Sequence, residues 1–343
     1  MSASPDGGPP ASTRRITLLH VAAALYVGGL CAGVAAALLV GERSAITTAL
    51  LYLPRAPLLL PALVLGPALW RRRARWLALA QAATALCVLG PIMGLHLGLG
   101  RHTVEGAPRL RVLSYNIWFG ARGLDGIARE IDAAAPDVVV LQAVTARMPD
   151  AIALRALPGW HVATRHELSV ASRYPIVAVR PLEPADADGT SPGYLLVTVD
   201  TPLGLVDVIS VHPTSPRPGL DALRRRRPWQ IAGALAENTA QRTRQVERIA
   251  RAVAQAKHPV IVAGDTNLPE GSRLLHEHLG ALRDGFAEAG IGWGYTYPSQ
   301  KAWPWMRIDR VLASPSFAFA SFSVGGRDGS DHCPVIAEIV KAD

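Results

Sequence analysis

The sequence predicts a layered α/β domain carried behind an α-helical, three-span membrane segment. Two observations predict this. Three long apolar runs occupy residues 16–40, 48–70 and 76–100, each long enough for the ~20 residues that cross a bilayer. From Arg109 onward, short strand-like apolar runs alternate with amphipathic helical ones, the pattern of a layered α/β domain. A third observation bears on function: chemistry-bearing polar residues recur where those strands end.

The elements follow in order. Residues 1–15 open with a Ser-, Pro- and Gly-rich stretch and are expected to form a disordered cytoplasmic tail. Residues 16–100 hold the three expected spans; the first is too long for a signal-peptide core, and two more follow it. The second carries Pro54, Arg55, Pro57, Pro61 and Pro67, so it is expected to be kinked or partly re-entrant. Arg14 and Arg15 precede the first span, and Arg71, Arg72, Arg73 and Arg75 lie between the second and third. By the positive-inside rule these loops are expected to be cytoplasmic, and three crossings would place the remainder outside, as the extracytoplasmic part of a multi-pass cell-membrane protein. Residues 101–109 read as a polar linker, reaching about 30 Å at most, and 110–341 as the extracytoplasmic domain.

Within that domain, Leu110–Tyr115, Val138–Leu141, Ile308–Leu312 and Val335–Val340 read as strands. Leu195–Val199 and Leu205–Val211 read as a hairpin around Thr201-Pro-Leu-Gly204. Leu124, Ile127, Ile131 and Ala134 fall on a helical period. The clearest helix is Asn238–Ala256, with Asn238 as its expected cap and Gln241 at the capping-box position. The chain has 343 residues, is 50% hydrophobic and carries a net charge of +8. That charge suits nucleic acid, an anionic membrane surface or a phosphorylated substrate. Cys31, Cys87 and Cys333 are too far apart for a metal motif or a disulfide framework.

The polar strand ends carry the chemistry. Gly264-Asp-Thr-Asn267 closes the apolar run Pro259–Ala263. Alternation turns Asp265 and Asn267 to one side, with oxygens that suit a hard cation; the same tetrapeptide is also an ordinary turn. Asn116 ends the first strand, and His212 follows Val206–Val211. Asp309 lies in Arg307-Ile-Asp-Arg-Val311, and Asp331 and His332 in Gly329-Ser-Asp-His-Cys-Pro334. Singly, each has a structural explanation as a cap, ion-pair partner or surface residue. Together they form the inventory of metal-assisted phosphoester hydrolysis: carboxylates for the cation, a His–Asp pair for a proton, amides and a second His for phosphoryl oxygens.

The segments SYNIW (114–118), SRYPI (172–176), SVHP (210–213), GDTN (264–267), RIDRVL (307–312) and SDHCPV (330–335) resemble the endonuclease/exonuclease/phosphatase superfamily, with the DNase I-like fold. The resemblance covers 109–341 and implies a four-layer α/β sandwich with a divalent metal, Mg²⁺ or Mn²⁺, at one end. By motif, Asn116 and Asp331 support the metal, and Asp265 and Asn267 position metal and water. His212 contacts the phosphate, and His332, oriented by Asp309, handles a proton or touches phosphate. Whether Asp265 or His332 is the base stays open. The resemblance also places Arg173 among the substrate contacts.

One position departs from the pattern. Where the family has Leu-Gln-Glu, this chain has Leu141-Gln142-Ala143. Ala143 therefore stands at a metal-ligand position without a ligand oxygen, and near-inactivity is expected. It reads either as a silencing substitution, the preferred explanation, or as the residue of a natural pseudoenzyme. The preceding spans make the chain similar to the VanJ-like, teicoplanin-resistance branch, associated with hydrolysis of undecaprenyl pyrophosphate in carrier-lipid recycling. The implied partners are a polyprenyl diphosphate and the bilayer; nucleic acid is disfavoured, and no protein partner is evident. Arg226, within Arg224–Arg227, and Trp229 suit a phosphate at a membrane interface, or else form a solvated loop. Trp303 and Trp305, with Trp293, Tyr295 and Tyr297, either wall a lipid groove or belong to the core. The competing readings are a tethered nuclease, a sphingomyelinase-like phosphodiesterase, and a non-catalytic lipid-phosphate binder.

Overall fold

The computed structural model describes residues 17–102, 106–145, 157–180, 189, 191, 193–218 and 228–342. Its C-terminal part is an α/β sandwich of two six-stranded mixed sheets. The first sheet joins β2 (Leu110–Asn116), β3 (Val138–Gln142), β4 (His161–Arg165), β5 (Leu168–Ser172), β13 (Phe317–Val324) and β14 (Val335–Lys341), in the order β13-β14-β2-β3-β5-β4. The second joins β6 (Ile176–Val179), β7 (Tyr194–Thr201), β8 (Gly204–Val211), β9 (Val260–Asp265), β10 (Arg283–Asp284) and β12 (Asp309–Ala313), in the order β10-β12-β9-β8-β7-β6. Val112, Val140 and Ala337 of one sheet meet Val197, Ile261 and Val311 of the other in a dry core.

Helices cover both outer faces. Helix α5 (Leu124–Ala134) lays Ile127 and Ile131 onto Leu113, Val139 and Leu141. Helices α6 (Pro228–Ala254) and α7 (Arg273–Leu279) close the other face, with Val246, Ile249, Leu275 and Leu279 over Ile209 and Val262. The hairpin forms as expected: Thr201 pairs with Gly204 across Pro202 and Leu203. The expected cap of α6 does not. Among the described residues the helix already runs from Pro228, ahead of Asn238, and good helix formers occupy the turns between them. Asn238 is therefore internal, and its amide donates to the Ser215 carbonyl at 2.8 Å.

The N-terminal part is helical: α1 (Leu18–Leu39), α2 (Ala45–Leu51), α3 (Leu59–Arg71) and α4 (Arg75–Cys87), the last continued by a π-turn to Ile92. Leu18–Leu39 and Arg75–Ile92 are each long and apolar enough to cross a membrane. The middle run is broken, with a 93° bend between Ala45–Leu51 and Ala56–Arg71. This agrees with its prolines, which remove helical hydrogen bonds. The third run stops being helical at Ile92, beyond Pro91, and His96–Leu97 forms β1, paired with β11 (Ile291–Gly292). Outward side chains such as Leu25, Leu39, Leu63 and Trp76 are exposed, a surface compatible with lipid rather than water.

The helical part is fastened to the sandwich. The Glu42 carboxylate accepts from the Ser272 hydroxyl and from the Arg273 N–H (3.1 Å). Arg55 donates to the Glu270 and Ile92 carbonyls. Trp293 and Tyr295 donate to the Leu89 and Met93 carbonyls at 3.2 and 2.9 Å. Tyr52 donates its hydroxyl to the Asn267 carbonyl at 2.7 Å and receives the Trp305 indole N–H on its own carbonyl at 3.2 Å.

Candidate active site

Strand register assembles the site. In the antiparallel β12–β9 pair, Asp309 lies directly across from Asp265. In the parallel β8–β9 pair, Val211 partners Gly264, so His212 and Asp265 leave neighbouring strands side by side. Gly264 is required here: a Cβ would lie 2.0 Å from the Val211 carbonyl oxygen. Asn116 ends β2 in the facing sheet, and the Ser330 hydroxyl, donating to the Asn116 carbonyl at 2.7 Å, ties the 329–334 loop beside it.

The result centres on Asp265, which is 1% exposed. Its Oδ2 receives the Asn116 amide at 2.9 Å, and its Oδ1 receives the Asn267 backbone N–H at 2.9 Å. The Asn267 side chain donates to the Pro213 carbonyl at 2.9 Å, so the GDTN turn is bolted to the loop after His212. Two imidazoles face Asp265 Oδ2 with their Nε2 atoms, His212 at 3.6 Å and His332 at 3.7 Å. Each is backed by a carboxylate on its Nδ1: Glu167 for His212 at 3.0 Å, Asp309 for His332 at 2.9 Å. Asp331 reaches His332 Nε2 only at 4.0 Å. The Tyr297 ring packs on His332, centroids 4.7 Å apart, and Arg217 lies over the outer face of Tyr297.

The electrostatics are set by burial against charge. Burial opposes a charged His332, but Asp309 and Asp265 outweigh it and raise its pKa to about 9. His212 is likewise raised, the Glu167 hydrogen bond overcoming burial. Burial raises the Asp265 carboxyl despite the two imidazoles. A buried carboxylate pair 1% exposed at each member is costly without a cation. Asp309 Oδ1 is buried with no hydrogen-bond partner. Among the described residues, Asp265, Asp309 and His332 present ligand atoms within 4.8 Å of one another. The two carboxylates offer the hard oxygens that suit a divalent cation, with the His332 nitrogen as a third donor.

The structure brings Asn116, His212, Asp265, Asn267, Asp309, Asp331 and His332 together. Ala143 follows β3 with a left-handed φ of 53° and is 2% exposed. Arg173 is not brought to the site. Antiparallel pairing of β5 with β3 sets Ser172 against Val138, the far end of the strand from Gln142. There the Arg173 guanidinium donates to the Pro136 carbonyl and lies over Trp160. Trp305 is held on Tyr52, and Trp303 is 84% exposed. Arg226 lies outside the described residues, and Trp229 falls in the first turn of α6. Sequence reasoning missed Glu167. Its signal was a lone carboxylate directly ahead of the apolar strand Leu168–Ser172. The Glu167 backbone carbonyl accepts the Val144 N–H at 3.1 Å, so this acid lies beside the Ala143 turn.

Comparison with known proteins gives the family and the fold. Residues 113–332 match the model of the Endonuclease/Exonuclease/phosphatase family. A structure of a family protein from Bacteroides thetaiotaomicron shares 17% identity, with a TM-score of 0.52 over 70% of this chain and 100% of that one. One from Bacteroides vulgatus gives 14% and 0.52 over 68% and 99%. A 3′-5′ exonuclease from Neisseria meningitidis gives 19% and 0.51 over 66% and 98%. At these identities they speak to the fold alone. No curated protein matches the sequence.

Proposed function

Because this chain belongs to the Endonuclease/Exonuclease/phosphatase family, whose members are hydrolases acting on phosphoesters, we propose that it is a membrane-anchored, metal-dependent phosphohydrolase of polyprenyl diphosphates such as undecaprenyl pyrophosphate. The observation that carries the chemistry is the pair of carboxylate-backed imidazoles converging on Asp265. Asp309 accepts the Nδ1 proton of His332 and so aims Nε2 inward. With its pKa raised to about 9, His332 is a cation at neutral pH and donates from Nε2 to a phosphoryl oxygen or leaving oxygen. Asp265 is then the group left to accept a proton from the attacking water. His212, aimed by Glu167, holds a second phosphoryl oxygen, and the Asn267 amide steadies Asp265. Asn116, Asp265 and Asp331 would hold Mg²⁺ or Mn²⁺, which supplies Lewis-acid polarisation of the phosphoryl group.

The lipid part of this reading is supported by the helical segment. The end of α1, the start of α3 and the end of α4 all meet the sandwich, whereas Arg71–Arg75 lie at the opposite turn. If the bent middle run counts as a crossing, three crossings from a cytoplasmic N-terminus would put the sandwich outside, in keeping with the VanJ-like branch. Protease added to intact protoplasts should remove the C-terminal domain; protection refutes the orientation.

Ala143 favours a second reading, a lipid-phosphate binder with little turnover. One experiment separates them. The protein as it stands is expected to release almost no phosphate from undecaprenyl pyrophosphate, and Ala143→Glu to restore Mg²⁺-dependent release that chelator abolishes. Robust release by the Ala143 protein refutes the assigned metal shell. Plasmid nicking without phosphate release, after Ala143→Glu, refutes the lipid substrate.

A further inference from the structure

A groove of about 910 Å³ lies between the helical segment and the sandwich, toward the upper end of the roughly 300–1,000 Å³ typical of ligand sites. It is lined by Leu59, Leu89 and Met93 of the helical part and by Trp293, Tyr295 and Trp303 of the 291–305 stretch, which Trp293 and Tyr295 tie to the Leu89 and Met93 carbonyls. Arg55, Arg101 and Arg327 also line it, and among the described residues no Asp or Glu does. Each arginine donates to a backbone carbonyl, those of Glu270, Ala289 and Ala302 respectively. The groove is therefore apolar with a net positive rim, complementary to an anionic amphiphile.

Its position narrows the occupant. Its lining includes Cys333, the residue after His332, and Trp305, which is linked through Tyr52 to the Asn267 carbonyl, so the groove borders the segments that carry the site. At its mouth Ile291 and Trp303 are 66% and 84% exposed, and Leu97 on the paired strand is 63% exposed. Exposed apolar side chains of this kind mark a surface that meets something apolar. Leu59 and the helix that leads into Leu89 belong to segments whose exposed side chains include Leu60, Leu63, Val64, Leu79 and Leu86. We propose that this groove binds the prenyl chain of the substrate, led in from the lipid-facing side, while the diphosphate reaches Asp265 and its two imidazoles. The inference rests on the lipid-phosphate reading above and adds the site of the tail.

The test reads binding, using the full chain in nanodiscs and a prenyl diphosphate bearing a diazirine on its chain. Photolabel is expected on both lining segments, at Leu59 or Leu89 and at Trp293 or Trp303. Unlabelled prenyl diphosphate should suppress it and phosphatidylglycerol should not. Label spread over the outer faces of α1 and α4, or suppressed equally by phosphatidylglycerol, overturns the proposal. Filling the groove with Leu59→Trp, or Leu89→Trp should the first not fold, is expected to raise the Kd for prenyl diphosphate about tenfold relative to that for inorganic pyrophosphate. An unchanged ratio overturns it. Groove labelling without hydrolysis by the Ala143→Glu protein refutes the activity and leaves the groove; hydrolysis without groove labelling refutes the groove alone.

Discussion

Replacing Asp284 by Ala tests how the strand that carries Asp309 is held. Arg307 and Arg310 flank Asp309 and are 4% and 1% exposed. The Asp284 carboxylate takes two hydrogen bonds from Arg307, both 2.8 Å, and one from Arg310 at 2.6 Å. It also caps α8 (Gly285–Ala289) by accepting the Phe286 and Ala287 N–H groups at 3.0 and 3.2 Å. Charged hydrogen bonds contribute about 1.5–3 kcal/mol each, but the three share one carboxylate and Glu270 still faces both arginines, so they do not add. Removing one partner of a buried charge cluster costs about 3–5 kcal/mol. We therefore expect a loss of about 4 kcal/mol, or roughly 8–16 °C in melting temperature at ~2–4 °C per kcal/mol for a domain of this size. Thermal unfolding followed by near-UV circular dichroism in detergent reads this directly. Asp284→Asn keeps an acceptor for the cap and should fall between the two. A melting temperature for Asp284→Ala within ~2 °C of the parent would show that the cluster is not what holds β12.

Two further outcomes depend on pH. Burial would raise the Glu270 carboxyl, but Arg307 and Arg310 outweigh it and hold it at about 2, below its ordinary 4.5. A depressed carboxylate stabilises the fold fully above about pH 4.5 and loses that contribution as pH falls toward 2; melting temperatures should drop across that window, less so in Glu270→Gln, and a flat profile in the parent contradicts this. In Glu167→Gln, the acceptor at His212 Nδ1 loses its negative charge, weakening the interaction that overcomes burial, so its imidazole pKa should fall in ¹⁵N-detected titration. The stabilisation from a raised His pKa is present below about 6.5 and vanishes as pH rises through the folded value. An unshifted His212 would remove Glu167 from its supporting role.

Local patterns made some of this legible. Thr201-Pro-Leu-Gly204 gave the hairpin because a Pro–Gly-bounded turn between alternating strands has a short-range signal. Helix Leu124–Ala134 was readable from its single apolar stripe. The residues of the site were readable because each stands at the end of an apolar run. Their mutual placement was not: Asp309 faces Asp265 through a pairing of strands 44 positions apart, and register between distant strands has no local trace. Arg173 misled for the same reason, since only the β3–β5 register reveals that it leaves the sheet at the wrong end. The Asn238 cap failed because the residues ahead of it are themselves good helix formers, so the helix runs through Asn238. Glu167 stayed invisible because a single acid before a strand is ordinary until His212 is seen beside it.

The linker at 101–109 looks like the obvious place to cut a soluble fragment. The Tyr52–Asn267 hydrogen bond says otherwise. A fragment starting at Arg109 would leave the Asn267 carbonyl, one residue from Thr266 and two from Asp265, without its donor. It would uncover Met306 and Ile308, which pack on Leu51 and Tyr52, and strip β11 of its partner strand. Composition divides this chain at residue 100, but cooperativity does not. The turn that carries Asp265 is held partly by the helical segment, so a fragment that omits that segment requires a new surface for residues 267–308 as well as a deletion.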